Sequence, residues 1–347
     1  MRAVIIHAPH DLRVDTMPAG APEPGPGEVR VRMAAGGICG SDLHYYHHGG
    51  FGTVRILEPM TLGHEAAGYV EAIGAGVEGV GPGDLVAVNP SQPCGTCAPC
   101  RNGNLVHCEN MRFSGSAMRF PHEQGLFRAF VTVPAGRVFR LGGNVTPEEA
   151  ALCEPLAVAL HAVRQAGDVA GRQVLVSGCG PIGILVATAA QLAGAARIVA
   201  TDVTAHSLGV ARAFGCDTCI DVARDPDALS AWAADRGQID TVFECSGNPA
   251  AVAAVLATLR PKGRMVLVGL GGDAAMPINT IVAKELEIVG TFRFADEFAQ
   301  AARIIASRTV DFRPMLTASY PMEQAVEAFD HAGDRTRATK VALRLDG

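Results

Sequence analysis

Through the first 150 residues, apolar and polar positions alternate in short runs such as Val29-Arg30-Val31-Arg32-Met33, or give way to apolar runs such as Leu85-Val86-Ala87-Val88. Turn residues bound these runs, among them Pro22-Glu23-Pro24-Gly25-Pro26-Gly27 and Gly81-Pro82-Gly83-Asp84. A two-residue period with Gly/Pro punctuation predicts strands, so 1–150 reads as a β-dominated domain. From about residue 147 to 290 the pattern becomes apolar runs alternating with alanine-rich stretches. It predicts strands at 173–177, 197–201, 240–244 and 264–268, with helices from about 182 and over 206–214. Strand and helix in alternation predict a parallel α/β sheet over 151–290. After Gly290 the pattern predicts helices at 296–307 and 322–332 and a strand at 340–345. So short a tail cannot enclose a core, so 291–347 is expected to pack on 1–150. The α/β unit then becomes an insertion, with a cleft between the two domains. No internal repeat interrupts this scheme.

A chain of 347 residues is long enough for two such cores. Being 48% hydrophobic and 18% charged, it is too apolar for a disordered chain. Lys+Arg 29 against Asp+Glu 35 leaves a formal charge of −6, without the positive field that nucleic acid or an anionic membrane requires. Neither is an expected partner; a small molecule is. The longest apolar stretch, 183–200, is broken by Thr188, Gln191 and Arg197, and reads as a helix running into a strand rather than a bilayer span. The start, MRAVIIHAPHDLRV, has no export signature, so the ten cysteines are expected as reduced thiols in the cytoplasm.

Four of those cysteines, Cys94, Cys97, Cys100 and Cys108, fall at spacings of three, three and eight in a segment rich in turn residues, Pro93, Gly95, Pro99 and Gly103. Four thiolates on short, bendable loops close a tetrahedral zinc site, and a closed site has no position for a reactant. A structural zinc lobe over about 90–110 follows, with His107 a surface loop residue. Cys216 and Cys219 lack a second pair; like Cys153, Cys179 and Cys245 they read as packing or turn residues.

Further on, the run Val174-Leu175-Val176-Ser177 leads into Gly178-Cys179-Gly180-Pro181-Ile182-Gly183 and a helix-compatible stretch. Gly178 permits a tight turn, Gly180 lets backbone N–H groups approach a pyrophosphate, and Gly183 lets helix and strand pack closely. Asp202 ends the next predicted strand, where an acid accepts hydrogen bonds from an adenosine ribose and repels a 2′-phosphate. Val203-Thr204-Ala205-His206 offers no cation to bind such a phosphate, so NAD is favoured over NADP. Capping of the following helix is the alternative role for Asp202. A second set of metal-binding residue types is dispersed: Cys39, then His64-Glu65, then Cys153-Glu154. Sulfur, imidazole and carboxylate suit a zinc with an open position.

Gly63-His64-Glu65, the four-cysteine lobe, the run from Gly178 to Gly183 and Glu154-Pro155-Leu156-Ala157-Val158-Ala159-Leu160-His161 together resemble the zinc-containing medium-chain alcohol/polyol dehydrogenases over essentially the whole chain. A sugar-acid-oxidising branch is the nearest match. It shares Gly37-Ile38-Cys39-Gly40-Ser41-Asp42-Leu43-His44-Tyr45-Tyr46, Asn89-Pro90-Ser91, Met111-Arg112-Phe113, Gly115-Ser116-Ala117-Met118, Phe120-Pro121-His122, Phe292-Arg293-Phe294 and Ala332-Gly333-Asp334-Arg335-Thr336. The resemblance implies an α/β protein with a GroES-like β-rich catalytic domain and a doubly wound Rossmann domain. It implies zinc ligation by Cys39, His64 and Glu154, with Glu65 as rival ligand or catalytic carboxylate. Ser41 is then the hydroxyl that meets the substrate alcohol, and His44 lies on the proton path. Tyr46 lines the substrate site, flanked by Tyr45, His47 and His48. Cys245, Ser246, Val268, Gly269, Leu270, Thr291, Phe292 and Arg293 fall where NAD and substrate meet, and Lys340 near the pyrophosphate.

The implied reaction is hydride transfer from a secondary alcohol of a sugar acid to NAD, using one catalytic and one structural zinc per chain. For the substrate carboxylate the available cations are Arg293 first, then Arg112, Arg119 and His122. A neutral sorbitol- or xylitol-type polyol is the alternative substrate. A non-catalytic, zinc-stabilised NAD-binding protein is the alternative from another class, and it needs only the closed zinc. Relatives imply a homo-oligomer, tetramer before dimer. The chain departs from the family pattern at Gly125-Leu126-Phe127, where the family has Gly-Gly-Phe, and at Arg119. Both departures bear on which substrate is taken.

Overall fold

The alternation at Val29, Val31 and Met33 becomes the strand Glu28–Gly37 in the computed structural model, which describes residues 1–17, 22–142 and 144–346. Those three side chains are buried while Arg32, between them, is exposed. The strand is the centre of a seven-stranded sheet. On one side it pairs antiparallel with Glu65–Ile73, which continues to Leu85–Val88 and Val138–Arg140. It also pairs with Phe130–Pro134 and with Lys340–Arg344, beyond which lies Leu316–Pro321. A second sheet joins Asp11–Thr16, Arg2–Ala8 and Met60–Thr61. The tail thus completes the sheet of the first unit, which comprises Met1–Glu154, Phe298–Asp334 and Lys340–Gly347.

The second unit comprises Pro155–Glu297 and Arg335–Thr339. Its six strands are all parallel, in the spatial order Thr218–Asp221, Arg197–Asp202, Gln173–Ser177, Ile239–Glu244, Leu259–Leu267, Glu287–Gly290. The chain starts in the middle, builds outward to one edge, and returns to build the other, as in a doubly wound sheet. Central strands are buried on both faces, with Val174, Leu175, Val176, Val242 and Phe243 all fully enclosed, which explains their continuous apolar runs. The two edge strands, Thr218–Asp221 and Glu287–Gly290, were not predicted, because half-exposed edges mix polar with apolar residues.

Two stretches expected with the first unit belong to the second. Residues 291–297 follow the sheet: the Thr291 N–H donates to the Leu267 carbonyl at 3.2 Å. The Glu297 carboxylate is 3.0 Å from both His161 and Arg164 of the helix Cys153–Ala166. Residues 335–339 reach the helix Ala205–Ala213 through Thr339 Oγ1, 3.1 Å from His206 Nε2. The predicted helix at 322–332 is a 3₁₀ turn, Met322–Gln324, followed by the α-helix Ala325–Gly333. The apolar stretch at 183–200 is the helix Pro181–Leu192 leading to the strand Arg197–Asp202, and no helix among the described residues is long and apolar enough to cross a membrane.

Candidate functional site

Between the paired strands Ser91–Gln92 and Arg112–Phe113 the chain wraps around Cys94, Cys97, Cys100 and Cys108, whose sulfurs all lie within 4.8 Å of one another. The Cys97 and Cys108 sulfurs are 3.9 Å apart. Zn–S bonds of ~2.3 Å in a tetrahedron require edges of about 3.8 Å, so the thiols present fit the ion. The backbone N–H of Cys94 donates to Cys108 Sγ at 3.2 Å and that of Cys97 to Cys94 Sγ at 3.4 Å. Backbone donors from Thr96 and Cys97, with the Thr96 hydroxyl, hold the Cys94 thiol down at about 5, which favours the metal-binding thiolate. All ten cysteines are free, so no disulfide competes.

The first unit carries the dispersed set as well. Cys39 is the N-cap of the helix Gly40–His48, and its N–H donates to the Asp42 carboxylate at 3.0 Å. Glu65 opens its strand in register with Gly37. A Cβ on Gly37 would stand 2.3 Å from Glu65 Oε2, so only glycine leaves the carboxylate its place. One ligand atom each from Cys39, His64 and Glu65 falls within a 4.8 Å group. His64 Nδ1 is buried without a hydrogen-bond partner, the nearest acid oxygen being Asp42 Oδ1 at 3.7 Å. An orphaned imidazole nitrogen beside a thiol and a carboxylate fits a divalent zinc. Burial above all, then the Glu65 charge, pushes the Cys39 thiol up to about 12. Lys340 and the neighbouring Ser41 hydroxyl pull the Cys39 thiol the other way, without overcoming its burial.

Glu154, expected as the third ligand, is outside that 4.8 Å group, and Glu65 is inside it. Glu154 remains in the same buried neighbourhood. Burial pushes its carboxyl up to about 8; His64 and Lys340 pull against this, while the Glu65 and Cys39 charges reinforce it. Lys340 has a role other than the expected one. Its ammonium is 3% exposed, lies 2.7 and 2.8 Å from the two Glu65 oxygens and donates to the Ile38 carbonyl at 3.2 Å. All three hydrogens are thereby used inside the first unit, and none is left for a pyrophosphate. Asp42, fully buried between Cys39 and His64, had no assigned role in the sequence; its signal was an acid three residues after a helix cap.

Of the expected substrate groups, several are engaged elsewhere. Tyr46 is a core residue: 4% exposed, edge-on to Phe329 at 5.5 Å, with its hydroxyl donating to Asp330 at 3.3 Å. His122 is buried, its Nε2 accepting the Leu57 N–H at 2.8 Å and its Nδ1 lying 2.7 Å from the Arg119 carbonyl, so both ring nitrogens are committed to holding loops together. Arg112 pairs with Glu123 at 2.6 Å, and Arg119 donates to the Asn110 carbonyl at 3.0 Å from an exposed position. His44 is exposed one turn along the helix from Ser41, its ring 6.1 Å from Phe51 and 6.0 Å from His48. Arg293, at a positive φ of 52°, stacks its guanidinium over Phe292 at 4.9 Å.

In the second unit Gly178 follows the central strand at φ 88°, and a Cβ there would meet the Ser246 nitrogen at 2.8 Å. A Cβ on Gly183 would stand 1.8 Å from the Gly178 carbonyl oxygen. These glycines let the turn fold against the start of the helix Pro181–Leu192, whose first turn, with N–H groups on Gly180, Ile182 and Gly183 and none on Pro181, is of the kind that binds phosphate. Asp202 reaches this turn: its carboxylate accepts from the Cys179 N–H at 2.7 Å and the Thr204 N–H at 2.8 Å. Neighbouring strand ends place Cys245, hydrogen-bonded to the Ser177 carbonyl at 2.8 Å, and Ser246, bonded to Glu244. The N–H groups of Val268 and Gly269 donate to the Glu244 carbonyl at 2.8 and 2.9 Å. Leu270 is 80% exposed, Phe292 is exposed, and the Thr291 hydroxyl is buried without a partner.

Residues 25–143 match the family model of the alcohol dehydrogenase GroES-like domain, and residues 181–307 that of the zinc-binding dehydrogenases. The chain is 42% identical over 314 residues to L-idonate 5-dehydrogenase (NAD(P)(+)) of Escherichia coli K12, covering 90% of each chain. It is 37% identical over 349 residues to sorbitol dehydrogenase of Homo sapiens, covering 99% of this chain and 96% of the other. The crystal structure of L-idonate 5-dehydrogenase from Escherichia coli superposes with a TM-score of 0.93 at 38% identity, covering 99% of this chain and 97% of that one.

Proposed function

The chain belongs to the zinc-containing medium-chain alcohol dehydrogenases, a family of polyol and sugar-acid oxidoreductases, and from that membership we propose that it oxidises L-idonate at C5 to 5-dehydro-D-gluconate, reversibly, with NAD. The observation that carries the reaction class is the convergence of Cys39, His64 and Glu65 within 4.8 Å, with Ser41 in the first turn of the helix that Cys39 caps. Zinc bound there supplies the Lewis acidity that eases loss of a proton from an alcohol, and the nicotinamide supplies the hydride acceptor. Ser41 receives the alcohol proton. His44, three residues on and therefore on the same helix face, passes it to solvent. Lys340 fixes both oxygens of Glu65, which holds that carboxylate in place beside the thiol and the imidazole.

NAD rather than NADP is supported by the place of Asp202, whose charge is fixed against the glycine turn and disfavours a 2′-phosphate. The substrate carboxylate is assigned to Arg293, which follows the strand Glu287–Gly290 at the strand-end position beside the nicotinamide expected for this family. A neutral polyol is the second reading. It is favoured by the full-length similarity to sorbitol dehydrogenase and by the engagement of Arg112 and His122 with their own neighbours. Comparing kcat/KM for L-idonate and sorbitol tests the choice: idonate is expected to be preferred at least tenfold, and a large preference for sorbitol overturns the assignment. Two zinc ions per chain with turnover are expected; one ion without turnover would mark a non-catalytic dinucleotide-binding protein.

A further inference from the structure

The helix Gly40–His48 starts at Cys39 and buries Asp42, Tyr45 and Tyr46. Ser41, His44 and His48 follow one another at spacings of three and four, so they share one stripe of the helix, and both imidazoles are exposed. The two ring centroids are 6.0 Å apart, with the planes inclined at 40°. Phe51, from the hairpin that follows, stands 6.1 Å from the His44 ring and 5.5 Å from that of Tyr45, which limits how far His44 can swing. The helix closes at Gly49, φ 68°, whose N–H donates to the Tyr45 carbonyl at 3.0 Å. His48 therefore sits in the last turn, where the partial negative charge of the helix end favours a cation. The row of rings continues to His47, 5.9 Å from His48, and on to His10, 5.4 Å from His47. Burial, then His10 and His48, pushes His47 below its ordinary value, so this neighbour stays neutral and does not repel an arriving cation.

Two histidines one turn apart on a helix face are a chelating pair, each offering one nitrogen to a shared ion. Rings that share an ion through bonds of ~2.0 Å at a tetrahedral angle stand about 5 Å apart, centre to centre. The observed pair reaches that separation by closing about 1 Å, a small movement for exposed side chains. We infer that His44 and His48 form a surface site for a divalent transition-metal ion of the zinc or nickel kind, with water completing its coordination, and that an ion held there inhibits the enzyme. Imidazole nitrogen selects such ions over magnesium, which keeps oxygen ligands. The inhibition rests on the proton path through His44 proposed above. A neutral imidazole has one acceptor nitrogen, and once its lone pair is on a metal it cannot take the proton that leaves the alcohol by way of Ser41. The ion thus stops the reaction without touching Cys39, His64 or Glu65.

The test uses the enzyme holding its two zinc ions and dialysed free of excess metal. Zn²⁺ is titrated by calorimetry, and initial rates are measured over the same range of free Zn²⁺, with Mg²⁺ as the comparison. A third, weaker Zn²⁺ per chain is expected, with turnover falling as it binds and recovering when the excess is removed, whereas Mg²⁺ neither binds nor inhibits. Removing one of two ligands, His48→Gln is expected to weaken the third ion at least tenfold and to raise the half-inhibiting concentration by the same factor, each protein being compared with its own metal-free rate. A wild type that binds only two ions overturns the site, as does unchanged affinity in His48→Gln. A loss produced by His10→Gln instead assigns the ion to the His10 and His47 pair and overturns the assignment. A third ion that is lost in His48→Gln but leaves wild-type turnover unaffected overturns the inhibition and upholds the site. Should the protein oxidise no alcohol at all, the proposed reaction falls, and calorimetry on the wild type and His48→Gln still decides the site.

Discussion

The Lys340 ammonium lies 2.7 and 2.8 Å from the two oxygens of Glu65, and the two residues are 3% and 1% exposed. A buried carboxylate that loses its counter-ion is strongly destabilising, by about 3–5 kcal/mol. Lys340→Met is therefore expected to cost that much in chelator-treated protein and clearly less with zinc present, because a bound cation replaces part of the lost charge. Urea unfolding with and without zinc checks this. Equal losses in both states would separate the ion pair from the metal.

Removing one sulfur from the cysteine lobe opens a closed tetrahedral site. Cys100→Ala is expected to lower the zinc content from two ions per chain to one, and to lower Tm while the Cys39/His64/Glu65 ion stays. Elemental analysis alongside thermal unfolding reads both. Two ions retained in the variant would place the second metal elsewhere.

Asp202 faces two ways, towards the Cys179 N–H and the Thr204 N–H. Asp202→Ala removes the acid proposed to receive the ribose hydroxyls and to repel a 2′-phosphate. A hydrogen bond to a charged group is worth about 1.5–3 kcal/mol, so kcat/KM with NAD should fall roughly ten- to hundredfold while that with NADP falls less. An unaltered ratio between the two coenzymes would reduce Asp202 to a cap.

Glu297 supplies a pH dependence of known sign. Burial alone would raise its carboxyl, but the bond from His161 and the Ala295 N–H outweigh it and hold the group at about 2, against an ordinary 4.5. A depressed carboxyl contributes stability above its unfolded value, here roughly 3 kcal/mol, and that contribution is lost as pH falls from about 4.5 towards 2. Glu297→Gln is thus expected to be destabilised at pH 7 and to converge on the wild type only as pH falls to about 2, as denaturant titrations across pH would show.

Features with a local cause were legible in the sequence. The glycine turn follows from steric demands within six residues, and the four-cysteine lobe from spacings that a single metal can bridge. The parallel strands announced themselves through burial on both faces, which makes apolar runs continuous. Side-chain commitments made across the chain were not legible. Lys340 and Glu65 are 275 residues apart, and His122 takes its partner at Leu57, 65 residues away. Hydrophobic periodicity reports whether a position faces water, never which distant group it meets, and neither the resemblance that put Lys340 near a pyrophosphate nor the charge that made His122 a candidate for the substrate carboxylate carries that information. Tyr46, placed in the substrate site by the family resemblance alone, likewise has its ring against Phe329 and its hydroxyl on Asp330.

The strand Lys340–Arg344 lies against Gly37 and its neighbours, so Glu65 receives its positive partner from a segment translated some 275 residues later. A nascent chain on the ribosome has Cys39, His64 and Glu65 in hand long before it has the ammonium that balances the carboxylate. During that interval the site waits in an open, hydrated form, and its burial is a late event in folding rather than one that guides it.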